Sequence, residues 1–230
     1  MTSKLNVWIG FDPSETKAYE MAVFSIRKYN PTISIRPLLR EQLRQMELYY
    51  RKDSRASTEF SLTRFLVPKL SNYMGYSLFM DCDMVVNTNI EKIMDEADLT
   101  KAVNCVKHDY TPKTEIKMDG KKQYVYPRKN WSSVMLFNCN HRYTRRLTVK
   151  YVNTATPSDL HRMEWAEDSI GELDKTWNCL SGYYDIDKPK IIHYTDGGPW
   201  LSAYRHCQYS NYYHDYSWEN RRRFGRFKNE

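Results

Sequence analysis

The sequence predicts an α/β fold: one domain over residues 1–230 with an open, mostly parallel central sheet flanked by helices. Two observations predict it. Short apolar runs alternate with helix-spaced segments over residues 1–110, the pattern of a parallel sheet with crossover helices. The chain of 230 residues is also long enough to bury a sizeable core.

The elements follow in order. Leu5 to Asp12, LNVWIGFD, reads as a short buried strand. Asp12 followed by Pro13 is a helix-start signal, an N-cap with proline in the first turn. A helix is expected over Ser14 to Tyr29, with Ala18, Met21, Ala22, Ser25 and Ile26 on one face and Asn30-Pro31 ending it. Ile33 to Leu39 is a second strand. Residues 40–58 are polar and fit a helix and then a loop. Glu59 to Leu70 carries Leu62, Phe65, Leu66 and Leu70 on one helical face, with Pro68 bending its end. Gly75 to Asn87, GYSLFMDCDMVVN, reads as a strand from Tyr76. A short helix, NIEKIMDEAD, and another strand, KAVNCVKH, come next. Residues 109–130 are rich in lysine and turn residues and suggest a hairpin or loop with Asp119-Gly120 at its tip. Ser132 to Asn138 is strand-like, and helices are expected over 142–153 and 158–173. A last short strand ends at His193, before a glycine-containing turn with Gly197.

Composition narrows the function. The net charge of +7 admits anionic partners: nucleotides, nucleic acid or an acidic membrane surface. The five cysteines are widely spaced, with no C-x-x-C pair, which argues against a disulfide framework and a cysteine zinc site. No window approaches a membrane span, and the N-terminus has no signal-peptide pattern, so a soluble cytoplasmic protein is expected.

The Gly75–Asn87 run places two carboxylates, Asp81 and Asp83, inside apolar sequence. Residues two apart on a strand point to one side, so the pair can converge while Cys82 points away. Two close, desolvated carboxylates repel unless a cation joins them. Carboxylate oxygens suit Mg²⁺ or Mn²⁺. Capping of neighbouring loops, or pairing with arginines, is the alternative. His193 also follows a short apolar run at a strand end. As a third ligand it would favour Mn²⁺, because imidazole is a softer donor.

With these residues in view, the chain resembles the GT-A-fold glycosyltransferases that use nucleotide sugars. It is most similar to glycosyltransferase family 8, the glycogenin and bacterial lipopolysaccharide galactosyltransferase group. Four blocks carry the likeness: VWIGFDP; SLTRFLVPKL leading into LFMDCDMVV; NWSSVMLFN; and HYTDGGPW. Together they span about residues 5–200. Two departures stand out. Ser133 occupies a position that is usually glycine. Gly198 stands where a lysine facing the donor phosphates normally precedes Pro-Trp.

The resemblance implies a Rossmann-like GT-A domain. Residues 1–110 would form the nucleotide-sugar half, 111–200 the donor and acceptor half, and 201–230 a basic aromatic tail. It implies a metal-dependent transferase moving a hexose from a UDP-sugar, UDP-glucose or UDP-galactose, with retention, to a carbohydrate or glycolipid. Asp81, Asp83 and His193 would hold the metal, Mn²⁺ or Mg²⁺, with Asp81 also near the donor ribose. Ile9, Gly10 and Asp12 would line the nucleotide pocket. Arg64 would lie near the donor diphosphate or sugar, Gly197 would belong to the donor-binding residues, and Asn130 and Ser132 would approach the donor sugar. Glu167 and Asp168 look similar to the acidic pair that holds sugar hydroxyls.

Plainer readings stand beside these. Asp12 can serve as a helix cap, Arg64 as an ion-pairing arginine, Glu167 and Asp168 as a solvated helix face, and Trp131 and Trp200 as core. The lysines at 113, 117, 121 and 122 admit a rival enzyme that adds sugar to nucleic acid; nucleic acid is the less favoured partner. The absent lysine admits a silent sugar-nucleotide-binding module. Tyrosine, tryptophan and arginine interleave from Tyr209 onward, which suits peripheral contact with the inner membrane face or a terminal helix packed by its tyrosines.

Overall fold

The structure is a computed structural model that describes residues 5–52, 58–109 and 127–224. In chain order its strands are β1 (Asn6–Gly10), β2 (Ser34–Leu38), β3 (Tyr76–Met80), β4 (Met84–Val86), β5 (Val103–Cys105), β6 (Val134–Asn138), β7 (Ile170–Glu172), β8 (Cys179–Leu180) and β9 (Ile191–His193). Its α-helices are α1 (Thr16–Tyr29), α2 (Arg40–Gln45), α3 (Val67–Leu70), α4 (Ile93–Glu96), α5 (Val149–Thr154), α6 (Pro157–His161) and α7 (Ser210–Phe224).

Six strands form the main sheet in the order β2-β1-β3-β6-β5-β7. β1 runs parallel to β2 and β3, and β7 parallel to β5, while β6 is antiparallel to both its neighbours. Five strands therefore share one direction, and β6 opposes them. A second sheet, β4-β9-β8, lies beside the first. The fold class expected from alternation is the one found.

Burial explains the strands. Leu78, Phe79 and Met80 of β3, and Val134 to Phe137 of β6, are fully buried, as central strands covered on both faces require. Gly10 ends β1 where a Cβ would lie 2.4 Å from the Phe60 ring, so only glycine lets that ring close over the strand. α1 is capped by a 3₁₀ turn, Pro13–Glu15, and packs its Ala18, Met21, Ala22 and Ile26 face inward. Its Ser25 hydroxyl accepts the Val86 N–H of β4 at 3.0 Å.

Several elements differ from expectation. The Gly75–Asn87 run is two strands in two sheets, and Asp81-Cys82-Asp83 is the corner between them. The expected helix over Glu59–Leu70 is a 3₁₀ turn, Thr63–Leu66, followed by α3. Pro68 sits in the first turn of α3, where its missing N–H is not needed, and does not bend a helix end. The 142–153 segment splits into a 3₁₀ turn at Thr144–Arg146 and α5. The helix expected over 158–173 stops at His161. Met163 (φ 57°) and Glu167 (φ 50°) take left-handed backbone there, and the chain then enters β7. β8 had no sequence signal. The Asp119-Gly120 turn and the lysines at 113, 117, 121 and 122 lie outside the described residues. Among the described residues, no helix is long and apolar enough to cross a membrane.

Candidate active site

The corner at Asp81-Cys82-Asp83 joins the two sheets at the carboxyl end of β3, where open α/β sheets bind ligands. Backbone bonds hold it from both sides. Asp81 N–H donates to Ser133 O at 3.0 Å, and Tyr194 N–H donates to Asp83 O at 2.9 Å. The antiparallel pairing of β4 with β9 sets His193 opposite Met84, beside Asp83. One oxygen of Asp81, one of Asp83 and a ring nitrogen of His193 all lie within 4.8 Å of one another. The Cys82 thiol is buried and donates to Glu15 Oε2 at 3.1 Å. Burial, and next the Asp83 charge, push the Glu15 carboxyl up to about 7.

A divalent cation fits this donor set. His193 Nδ1 meets the side-chain oxygen of Asn178 at 3.0 Å, and that oxygen can only accept. A neutral ring that donates from Nδ1 to that oxygen turns its Nε2 lone pair toward Asp83 Oδ1, 3.4 Å away. Two acceptors at that distance are compatible when a cation lies between them.

Arg64 closes the other flank. Its Nη1 is 2.9 Å from Asp81 Oδ1 and donates to Ser132 O at 2.8 Å, while its Nε donates to Phe60 O at 3.2 Å. The guanidinium lies over the Phe79 ring at 4.8 Å. Ser132 Oγ meets His161 Nδ1 at 2.9 Å. Burial, and then the Arg64 charge, depress His161 to about 3, so its ring is neutral. Asn130 has left-handed backbone (φ 64°), and its Nδ2 is buried with no hydrogen-bond partner among the described residues.

Other expected residues fall elsewhere. The Ile9 side chain is core. Asp12 caps: its Oδ1 accepts from Ser14 N–H at 3.0 Å and its Oδ2 from Glu59 N–H at 3.1 Å. Gly197 (φ 142°) lies in the turn after β9, its N–H donating to Tyr194 O at 2.9 Å.

Glu167 and Asp168 lie away from the triad. The registers Met80 with Val134, Phe137 with Val103 and Val103 with Ile170 put the start of β7 at the amino end of β3. Both residues precede β7 and are exposed, and Glu167 pairs with Arg146 at 2.6 Å. The expected acidic pair is thus at the opposite edge of the sheet from Asp81. His161, Ser133 and Asn178, none singled out as a site residue, are at the site instead. The asparagine at 178 directly follows a tryptophan in a polar stretch and offered no strand-end signal.

At Gly198, the space for a side chain is filled. A Cβ there would lie 1.9 Å from Trp200 Cζ3. Trp200 packs edge-on to Tyr194 and against Tyr213 of α7, each at 5.8 Å.

Residues 4–203 match the profile described as glycosyl transferase family 8. The chain belongs to glycosyl transferase family 8. Protein CDI of Arabidopsis thaliana is 42% identical over 229 residues, covering 94% of this chain and 88% of that protein. Glycosyltransferase GlyE of Streptococcus pneumoniae superposes with a TM-score of 0.62 at 16% identity, covering 94% of this chain. This chain spans 60% of that GlyE chain. Galactosyltransferase LgtC, solved with donor and acceptor sugar analogs, superposes with a TM-score of 0.55 at 13% identity over 93% of this chain and 95% of its own. The family 8 chain thus has a GT-A fold and is a glycosyltransferase.

Proposed function

We propose that this glycosyltransferase moves a hexose from a UDP-sugar, UDP-glucose or UDP-galactose, to a carbohydrate or glycolipid acceptor with retention. Asp81, Asp83 and His193 would hold the divalent cation. The convergence of those three ligand atoms at the carboxyl end of β3 carries the reading. The imidazole favours Mn²⁺ over Mg²⁺.

When bound, the cation stabilises the charge that grows on the departing diphosphate. The chain's own residues frame that event. Arg64 offsets the Asp81 carboxylate and adds fixed positive charge to the site. The Asn130 amide offers a buried donor to a sugar or phosphate oxygen. His161 stays neutral and ties Ser132 in place. The Phe60 and Phe79 rings lie against the Arg64 guanidinium, at 5.4 and 4.8 Å, and keep water from that charge.

Calorimetric titration with UDP tests the reading, on wild type and Asp83→Ala, with and without Mn²⁺. Binding that needs both the metal and Asp83 is expected. Metal-independent binding, or an Asp83→Ala protein that binds like wild type, would sink it. Hydrolysis of UDP-glucose or UDP-galactose by wild type then separates an enzyme from a silent binding module.

The protein's place in the cell belongs to the same proposal: cytoplasmic, with α7 touching the inner membrane face. Five unpaired cysteines suit a reducing compartment. Arg221, Arg222, Arg223 and Trp218 share the exposed part of α7, which suits an anionic surface.

A further inference from the structure

Ser133 stands where the related sequences are expected to carry glycine, and the structure gives its hydroxyl a task. Its Oγ donates to the Asn130 carbonyl at 2.7 Å. A carbonyl cannot donate, so the serine proton is committed there. Ser133 Oγ can then only accept from Asn178 Nδ2, 2.8 Å away. That sets which way the Asn178 amide faces, and a longer contact from Asn178 Nδ2 to the same Asn130 carbonyl, at 3.4 Å, agrees with it. Its oxygen is left toward His193 Nδ1 at 3.0 Å. One backbone carbonyl, held in place by the left-handed turn at Asn130, thus dictates the tautomer of a ring two side chains away. Ser133, Asn178 and His193 are all at most 2% exposed, so water does not compete for these bonds.

We propose that Ser133 and Asn178 are positioning residues that hold His193 with its proton on Nδ1 and its Nε2 lone pair turned toward Asp83. The inference rests on the metal reading above and adds the device that readies the imidazole to bind. Without the relay, the amide can flip and offer its NH₂ group to Nδ1. The ring proton would then move to Nε2, where it blocks ligation. Partners behind a metal-bound histidine typically matter by about 10- to 100-fold in metal affinity.

Two readouts test it, neither of them activity. Long-range proton–nitrogen NMR of the metal-free protein in mildly alkaline solution reads the His193 tautomer. Electron paramagnetic resonance of free Mn²⁺ reads affinity. Wild type should carry the proton on Nδ1. Asn178→Leu should populate the Nε2–H form and weaken Mn²⁺ binding by about 10-fold or more. Asn178→Asp keeps an acceptor facing Nδ1 and should retain both the tautomer and most of the affinity, which a merely structural role would not predict. Ser133→Ala should give a mixed tautomer population and an intermediate affinity, and it carries the test if Asn178→Leu fails to fold. An Nε2–H ring in wild type overturns the proposal. So does a folded Asn178→Leu, or a Ser133→Ala, that matches wild type in both readouts. A wild type that binds no Mn²⁺ overturns the metal reading instead, and the NMR result still decides the relay.

Discussion

Arg64 and Asp81 face each other across 2.9 Å, with both side chains largely withdrawn from solvent. The guanidinium also holds the Ser132 and Phe60 carbonyls, so it ties the corner after β3 to the 3₁₀ turn before α3. Removing one partner of a buried pair leaves the other charge uncompensated, at a cost of about 3–5 kcal/mol. Arg64→Leu is therefore expected to lose about 3 kcal/mol of unfolding free energy in urea. Saturating Mn²⁺ should restore part of that loss, because a cation at Asp81 supplies the missing positive charge. A loss that Mn²⁺ leaves unchanged would argue against cation binding at Asp81.

Trp200 fills the space beside Gly198, and this makes the two positions interdependent. Gly198→Ala forces the indole to move and should destabilise by about 1–3 kcal/mol. In the Trp200→Leu background the clash is relieved, so the same change should be nearly silent. A double-mutant cycle in thermal unfolding should return a coupling of about 0.5–3 kcal/mol. Simple additivity would mean that the indole yields without cost. The same packing explains why a lysine before Pro-Trp has no room here without repacking Trp200 against Tyr194 and Tyr213.

Two buried histidines set the acid limit of stability. Burial, followed by nearby positive charge that includes Lys175, depresses His108 to about 3, and burial with Arg64 does the same to His161. The unfolded chain titrates near the ordinary 6.5, so it binds more protons than the folded chain between those values. This contribution is fully present above about pH 6.5 and is lost as pH falls toward 3. Each histidine adds a slope of at most about 1.4 kcal/mol per pH unit. Urea unfolding from neutral pH down to about pH 5 should show this decline, and His108→Asn should flatten it. Parallel curves for variant and wild type would rule out the imidazole as the cause.

The sheet was legible because strand signals are local. Val7 to Ile9 and Leu78 to Met80 are apolar on successive residues, and such runs mark strands buried on both faces. The cluster of Asp81, Asp83 and His193 was legible for the same reason: Asp81 and His193 each follow an apolar run directly. The corner itself was less readable. A continuous apolar run around Asp81 and Asp83 gives no sign that the chain changes sheets at Cys82. Glu167 and Asp168 were misplaced because nothing local reveals that Met163 and Glu167 adopt left-handed backbone and end the helix early. Asn178 acts through a hydrogen bond to a residue 15 positions away, and periodicity carries no trace of such a contact.

The membrane reading of α7 calls for a gentler test than removing the tail. Tyr209 donates its hydroxyl to Tyr184 O at 3.0 Å and accepts Ile186 N–H at 2.6 Å. Tyr216 is 4% exposed and donates to Asn87 at 2.5 Å, and Lys28 of α1 pairs with Glu219 at 2.7 Å. Deleting residues 209–230 would strip these contacts and confound binding with unfolding. Trp218 is different: it is 55% exposed, and the Arg222 guanidinium lies over its ring at 4.6 Å. Trp218→Ser with Arg222→Ala should leave the melting temperature near that of wild type. Binding to vesicles containing phosphatidylserine should fall about fivefold for the lost charge alone, and further for the lost indole. Raising the salt should weaken wild-type binding in the same assay, because the attraction is screened. If the double variant sediments with vesicles as wild type does, α7 is a packed terminal helix and its arginines are a solvated face.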